Sequence, residues 1–107
     1  MSNAAFKRHR IDVESPVETQ DATGESRIEW YTYYQREPAE FIPMGGVEVV
    51  RGRQLESQTK AIFKVNYREG YTEKMRIYFE GKYYGITHIN PVGVQRRELE
   101  ILTRQTA

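Results

Sequence analysis

The sequence predicts an all-β fold, a small antiparallel β-barrel of about six strands with one long loop. Three observations lead to this prediction. Apolar and polar residues alternate in several short segments, which is typical of strands with one buried face. Turns rich in glycine and proline separate these segments. Eight tyrosines, four phenylalanines and one tryptophan among 107 residues also favour strands, because aromatic side chains pack well on a pleated surface.

The first half of the chain is predicted to contain two strands and the long loop. A short strand covers residues 8–14, and a longer extended segment covers residues 27–44 after a turn-rich stretch. Pro38 and Pro43 lack an N–H group, so the second segment must bend or lie at a sheet edge. Residues 45–60 fit neither the helical nor the strand period. We expect a long loop there, with one helical turn.

The second half shows clearer alternation and predicts the remaining strands. Residues 61–67 and residues 75–79 each alternate apolar and polar side chains. Gly81 supplies the positive φ that a short turn requires, so residues 82–90 are the return strand of a tight hairpin. A last strand follows over residues 98–101. The apolar face of this amphipathic sheet is predicted to form the structural core. Its residues are Trp30, Phe63, Val65, Ile77 and Phe79.

Length and charge limit what the chain can be. At 107 residues one domain is expected, with residues 1–7 as a flexible N-terminal arm and residues 8–104 as the barrel. The net charge of +1 argues against a general nucleic-acid binder, which normally carries a clear basic excess. No apolar run reaches the roughly 18 residues of a membrane span, so no membrane contact is expected.

The residues that carry chemistry do not form a catalytic pattern. The two histidines, His9 and His88, are far apart in the sequence, and cysteine is absent. Metal sites need clustered ligands, and no glycine-rich phosphate loop follows a strand and opens a helix. We therefore expect no catalytic residue, no metal and no cofactor, and we do not expect an enzyme.

Two features of the sequence are candidates for binding. Arg51 and Arg53 flank a flexible Gly52 in the long loop, and guanidinium groups bind phosphates and carboxylates alike. Ordinary solvation of a loop explains this motif equally well. Tyr31, Tyr33 and Tyr34 lie beside the tryptophan and exceed what a solvated strand needs, which indicates contact with a neighbouring chain.

The order of these segments resembles that of phage head–tail joining proteins, over residues 8–104. The sequence from Asp21 to Trp30 resembles the turn and tryptophan strand of that family, and Arg51-Gly52-Arg53-Gln54 resembles its loop motif. The best match is the hairpin over residues 75–86. Further similar segments are residues 39–43, 63–67 and 97–102.

The resemblance implies a structural virion protein, made in the bacterial cytoplasm, that forms a ring of about twelve copies below the portal or adaptor protein. Such a ring closes the DNA-filled head and offers the tail protein an attachment platform. The loop with Arg51, Gly52, Arg53 and Gln54 would point into the channel that holds packaged double-stranded DNA, without reading its sequence. The three tyrosines would lie between subunits.

Two alternatives belong to other functional classes. A phage tail terminator or minor tail protein would share the small β fold and is poorly separated from head closure by sequence. A small OB-like nucleic-acid-binding module would use the tyrosines as base-stacking platforms, although the nearly balanced charge disfavours it.

Overall fold

Six antiparallel strands make up almost all of the regular structure. The computed structural model describes residues 7–51 and 54–106, and the description excludes the side chains of residues 46–51, 54–58 and 94. One turn of 3-10 helix, Val94–Arg96, precedes the last strand. The strands are β1 (His9–Gln20), β2 (Ser26–Arg51), β3 (Gln54–Asn66), β4 (Arg76–Phe79), β5 (Lys82–Val92) and β6 (Glu98–Thr106).

The strands form one sheet that closes on itself in the order β1-β2-β3-β6-β5-β4. Closure comes from pairing of β4 with both β5 and β1, the latter over Asp12 to Glu14. A closed sheet has no exposed edges within the barrel. The prediction of an all-β antiparallel fold of about six strands is confirmed.

The interior of the barrel is filled by alternate side chains of every strand, as the period of two requires. Phe63 lies at its centre, and its ring is within 6 Å of the rings of Phe41, Phe79 and Tyr84. Four of the predicted core residues, Phe63, Val65, Ile77 and Phe79, are buried here. The other buried apolar residues are Ile11, Val13, Ala39, Ala61, Met75, Tyr84, Ile86, Leu99 and Ile101.

The prediction that Trp30 belongs to the core is wrong. Its side chain is 37% exposed, because this part of β2 has already left the barrel and pairs with β1 alone. We call this two-stranded segment, Ser15–Gln20 paired with Ser26–Tyr31, the β1–β2 ribbon. Both of its faces lie outside the barrel, so alternation along β2 does not separate a buried face from an exposed one.

The prediction of a long loop over residues 45–60 is also wrong. Gly46 to Arg51 pair with Gln54 to Thr59 as the continuation of β2 and β3. We call this second two-stranded segment the β2–β3 ribbon. A register shift between Pro43 and Gly46 precedes it, and this irregularity obscured the strand period in the sequence. Residues 52 and 53 lie outside the described residues.

A β-bulge marks the place where the β1–β2 ribbon leaves the barrel. The register shifts on both sides of Val13, and Arg36 adopts a positive φ of 55°. The Arg36 backbone N–H donates to Asp12 Oδ1 at 3.0 Å, so the carboxylate satisfies a donor that the interrupted ladder leaves unpaired. Bulges of this kind bend strands and increase their twist.

The ribbons make the molecule elongated. Its extents are 51 × 38 × 23 Å and its radius of gyration is 15.7 Å, whereas a compact domain of this length has about 13 Å. The ribbons continue opposite ends of β2. The barrel therefore holds two projections, each with exposed backbone edges.

Lys7, assigned to the flexible arm, is held by the barrel. Its side chain is buried, and Nζ lies 2.6 Å from Oε2 of Glu98 at the start of β6. The flexible-arm expectation is therefore wrong at this residue, while residues 1–6 lie outside the described residues. A buried ammonium group requires such a partner, because the charge would otherwise be desolvated without compensation.

We expect replacement of Phe63 by alanine to lower the free energy of unfolding by about 3–5 kcal/mol, since it opens a cavity at the centre of the barrel. Urea denaturation of both proteins measures this difference. Tyr78→Ala is the matched control, because Tyr78 is partly exposed on the outer face, and its loss should stay within about 1 kcal/mol. Equal losses in the two variants would contradict the assigned core.

Candidate functional site

The described residues contain no group of histidine, aspartate and glutamate side chains that could hold a metal ion. No helix in this part of the chain is long and apolar enough to cross a membrane. The features that stand out are instead surfaces: aromatic side chains on the β1–β2 ribbon and the barrel wall beside it.

Trp30 is held against the barrel wall by an arginine. The Arg76 guanidinium carbon lies 4.1 Å from the centroid of the Trp30 ring and 4.0 Å from that of Tyr83. Arg76 Nε also donates to Glu14 Oε1 at 2.6 Å. Because Glu14 and Arg76 are directly opposite in the β1–β4 ladder, this group joins the ribbon to the strand pair that closes the barrel.

The aromatic contacts continue across the outer wall. Tyr78 and Tyr83 face each other across the β4–β5 hairpin with ring centroids 5.0 Å apart. Ile28, two positions before Trp30 on the same face of β2, is 66% exposed. We call Ile28, Trp30, Tyr78 and Tyr83 the outer strip. It leaves several large apolar groups accessible on one side of the molecule, as interaction surfaces do.

The tyrosines predicted to contact another chain lie together, but they are not equally available. Tyr31 is 50% exposed and Tyr33 is 42% exposed. Tyr33 stacks on Tyr34 with centroids 4.7 Å apart, and Tyr34 is half-buried against the barrel. Tyr31 and Tyr33 are therefore open to a partner, whereas Tyr34 supports them from inside the protomer.

A polar network below Tyr34 fixes its position. The Arg68 guanidinium carbon lies 3.9 Å from the centroid of the Tyr34 ring, and Arg68 forms an ion pair with the buried Glu37 carboxylate. Tyr71 donates its hydroxyl to the same carboxylate at 3.4 Å. Burial, together with the negative charge of Glu37, raises the pKa of the Tyr71 hydroxyl far above its usual value. It therefore stays a neutral donor at every physiological pH.

Gly70, in the loop between β3 and β4, allows this packing. Its φ is 109°, and an added Cβ would lie 2.8 Å from the Tyr33 hydroxyl oxygen and 2.9 Å from that of Tyr34. Tyr34 also donates to the Glu69 backbone carbonyl. Only glycine permits the loop to approach the two tyrosines so closely.

The tip of the β1–β2 ribbon is ordered by one carboxylate. Asp21 Oδ1 accepts hydrogen bonds from the Thr23 hydroxyl at 2.6 Å and from the Thr23 and Glu25 backbone N–H groups. The Thr23 hydroxyl and these N–H groups lower the pKa of Asp21, so the turn keeps its negative charge.

Only part of the Arg51-Gly52-Arg53-Gln54 motif, predicted to face a DNA channel, lies within the described residues. Arg51 and Gln54 are paired at the last described position of the β2–β3 ribbon, and Gly52 and Arg53 lie outside the described residues. The two described residues of the motif therefore lie on the β2–β3 ribbon, whereas Tyr31 lies on the β1–β2 ribbon.

The residues that organise the aromatic side chains were not among the predicted site residues. They are Glu14, Glu37, Arg68 and Arg76. Each pairs with a residue at least 31 positions away in the chain. The sequence carries only a weak signal for these residues. Strand alternation predicts that the Arg76 side chain points outward, and the neighbouring strand carries a carboxylate, Glu14. Only the barrel closure brings these groups together.

Several solved structures resemble the fold. One is a chain in the virion of a native gene transfer agent particle, with a TM-score of 0.72 and 15% sequence identity, covering 91% of this chain and 94% of that one. Another is the solution structure of protein SF1141 from Shigella flexneri 2a, with a TM-score of 0.71 and 23% identity, covering 100% and 98%. At these identities the likeness establishes the fold alone.

A sequence comparison with protein families gives a match along almost the whole chain. The model described as phage head completion protein covers residues 3–106. No curated protein matches the chain. The match agrees with the resemblance found in the sequence.

Arg76→Ala should release Trp30 from the wall, because it removes the stacked guanidinium and leaves Glu14 without its partner. We expect the fluorescence of this single tryptophan to shift to longer wavelength, with a stability loss of about 1–2 kcal/mol. Arg76→Lys is the matched control, since it keeps the charge but not the planar group that stacks on both rings. It should shift the emission partway. Unchanged emission in Arg76→Ala would contradict the contact.

Proposed function

Because the chain belongs to the phage head completion protein family, we propose that it is a structural protein of a tailed-phage virion that closes the DNA-filled head. The observation that carries this proposal is the family match over residues 3–106. In this role the protein sits below the portal or adaptor protein, forms a ring of about twelve copies, and presents a platform to the tail protein.

The fold is consistent with such a role. A chain of similar fold is part of the virion of a gene transfer agent particle. A barrel with two projecting ribbons is suited to joining chains, since each ribbon offers side chains on both faces and unpaired backbone at its edges.

The β1–β2 ribbon is our candidate for the contact between subunits. Tyr31, at the end of the ribbon, and Tyr33, at its base, are both exposed. Tyr33 is held in place by Tyr34 and the loop at Gly70, and Tyr31 packs edge-on against Tyr33. Aromatic side chains that are already ordered lose little freedom on binding. Association still costs an estimated 4–15 kcal/mol in lost freedom. A ring of portal or adaptor subunits would offset this cost by raising the local concentration of neighbouring copies.

The β2–β3 ribbon is our candidate for the channel element. It pairs Arg51 with Gln54, the two described residues of the predicted motif of residues 51–54, and it continues the end of β2 opposite to the end that holds Tyr31. In a ring with these ribbons directed inward, the guanidinium groups would meet the phosphates of packaged double-stranded DNA. Phosphate contacts of this kind are independent of sequence.

Binding to heads tests the proposal. DNA-filled, tailless heads mixed with the purified protein should acquire a ring below the portal, visible by electron microscopy, and should then accept tails. The Tyr31→Ser, Tyr33→Ser double variant should remain folded by circular dichroism but give markedly fewer rings. Binding of the wild-type protein to finished tail tubes, and not to heads, would make it a tail terminator and refute head closure.

Removal of both arginines of the channel motif should leave the fold intact. We expect Arg51→Gln, Arg53→Gln to change the free energy of unfolding by no more than about 0.5 kcal/mol, as for other surface changes. Heads closed by this variant should lose DNA faster, which a nuclease-protection assay measures. Lys74→Gln, Lys82→Gln removes two positive charges from exposed positions outside both ribbons and is the control for retention. Wild-type DNA retention in the Arg51/Arg53 variant would remove the motif from the channel.

A further inference from the structure

A shallow groove crosses the outer wall of the barrel where β3, β6 and β5 meet the foot of the β2–β3 ribbon. Its floor is apolar and includes Met44, Ile62 and Leu102, and Thr87 stands at one side. The register shift between Ile86 and His88 lies at this point of β5. Lys60 and Arg104 form the rim.

The two rim cations are directly opposite each other on adjacent strands. Like charges in this position are unfavourable. The pair Ile62 and Leu102 comes next on the same face of these strands. Beyond it, Lys64 lies directly opposite the carboxylate-bearing Glu100. Within the described part of the chain, Lys60 and Arg104 have no carboxylate partner. The groove is therefore an apolar floor beside a positive charge that lacks a counterion.

The groove lies on the side of the barrel opposite β1. It is centred on β6, which lies three strands from β1 in either direction around the closed sheet. The β1–β2 ribbon leaves from the β1 side. A projection on one side and a groove on the opposite side are what a head-to-tail interface requires, because each copy can then bind the next.

The β1–β2 ribbon carries the negative charge that the groove lacks. Together with the turn that joins its strands, the ribbon carries four carboxylates, Glu18, Asp21, Glu25 and Glu29, against a single cation, Arg27. Glu18 is directly paired with Ile28, the large apolar side chain with the greatest exposure among those described. One face of the ribbon thus presents an apolar group beside a carboxylate.

The opposite face is less suitable. It also pairs an apolar residue with a carboxylate, Val17 with Glu29. However, Arg27 lies two positions from Glu29 on that face and would approach the rim cations. The six-residue strands of the ribbon extend about 20 Å at the rise of a β-strand, enough to lie along a neighbouring barrel.

We propose that the groove receives the β1–β2 ribbon of a neighbouring copy, with Ile28 on the apolar floor and Glu18 between Lys60 and Arg104. This inference rests on the proposed ring and names a further contact between its subunits, separate from the one proposed for Tyr31 and Tyr33. The same surface is open to an acidic segment of another virion protein, and the experiment below separates that outcome.

Disulfide trapping tests the contact, because the chain has no cysteine of its own. Ile28→Cys and Met44→Cys in one chain place one thiol on the β1–β2 ribbon and the other in the groove, 16 positions apart along β2, so a bridge is expected to join two copies. Bridging requires Cα atoms within about 7 Å. On DNA-filled heads we expect a ladder of linked protomers under non-reducing conditions. Val17→Cys with Met44→Cys is the control for the opposite face and should give little or none.

A charge swap tests the same contact independently. Glu18→Lys and the double variant Lys60→Glu, Arg104→Glu should each reduce ring occupancy on heads at least about tenfold, since each places like charges together at the interface. The three changes combined in one chain restore opposite charges and should recover occupancy. Glu29→Lys, on the other face, is the matched control and should stay near wild type.

The outcomes separate this inference from the proposed function. Heads that bind the wild-type protein but give no Ile28–Met44 ladder would overturn the contact and leave head closure intact. No recovery in the triple variant would assign the groove to another virion protein and also overturn the contact. A wild-type protein that does not bind heads would refute the proposed function, and this inference with it.

Discussion

The sheet becomes a barrel only where β1 meets β4, over Asp12 to Glu14. β4 is four residues long, so this seam has little backbone pairing of its own. Side chains strengthen it, because Glu14 and Arg76 are cross-strand neighbours and form an ion pair with Nε and Oε1 2.6 Å apart. The same guanidinium stacks on Trp30 and Tyr83. One side chain therefore links the seam that closes the core to the orientation of the ribbon.

The bulge opposite this seam solves a geometric problem. A strand that belongs to both a closed barrel and a projecting ribbon must bend between them. Arg36 takes the positive φ, and Asp12 accepts its backbone N–H. The strain of a non-glycine residue in this region costs of order 1–3 kcal/mol, and the hydrogen bond to Asp12 offsets part of it. Neighbouring residues of β1 therefore serve the two purposes: Asp12 stabilises the bend and Glu14 strengthens the seam.

The two faces of the β1–β2 ribbon are stabilised in different ways. On one, Arg76 covers Trp30; on the other, Tyr31 packs against Tyr33 at the base of the ribbon, where Tyr33 and Tyr34 stack under the loop that contains Gly70. Both arrangements order aromatic side chains before any partner arrives. This preorganisation lowers the entropic cost of association, which matters for a small subunit whose interface must form between many identical copies. The polar groups around the aromatic residues are largely paired within the protomer, so the surfaces left over are apolar or carry unmatched charge.

The sequence by itself determined the all-β class, the strands after residue 60 and most of the core, because alternation reports burial wherever a strand has one face on a closed interior. The order of its segments also led to the family. Only the tertiary structure decided where alternation no longer reports burial. Trp30 lies on a ribbon with no interior, and residues 45–60 form a second ribbon behind an irregular register. The pairing of Arg76 with Glu14, and the position of the Lys60 and Arg104 groove opposite the acidic ribbon, depend on closure of the sheet. Closure joins residues distant in the chain, and no local pattern encodes which strands become neighbours.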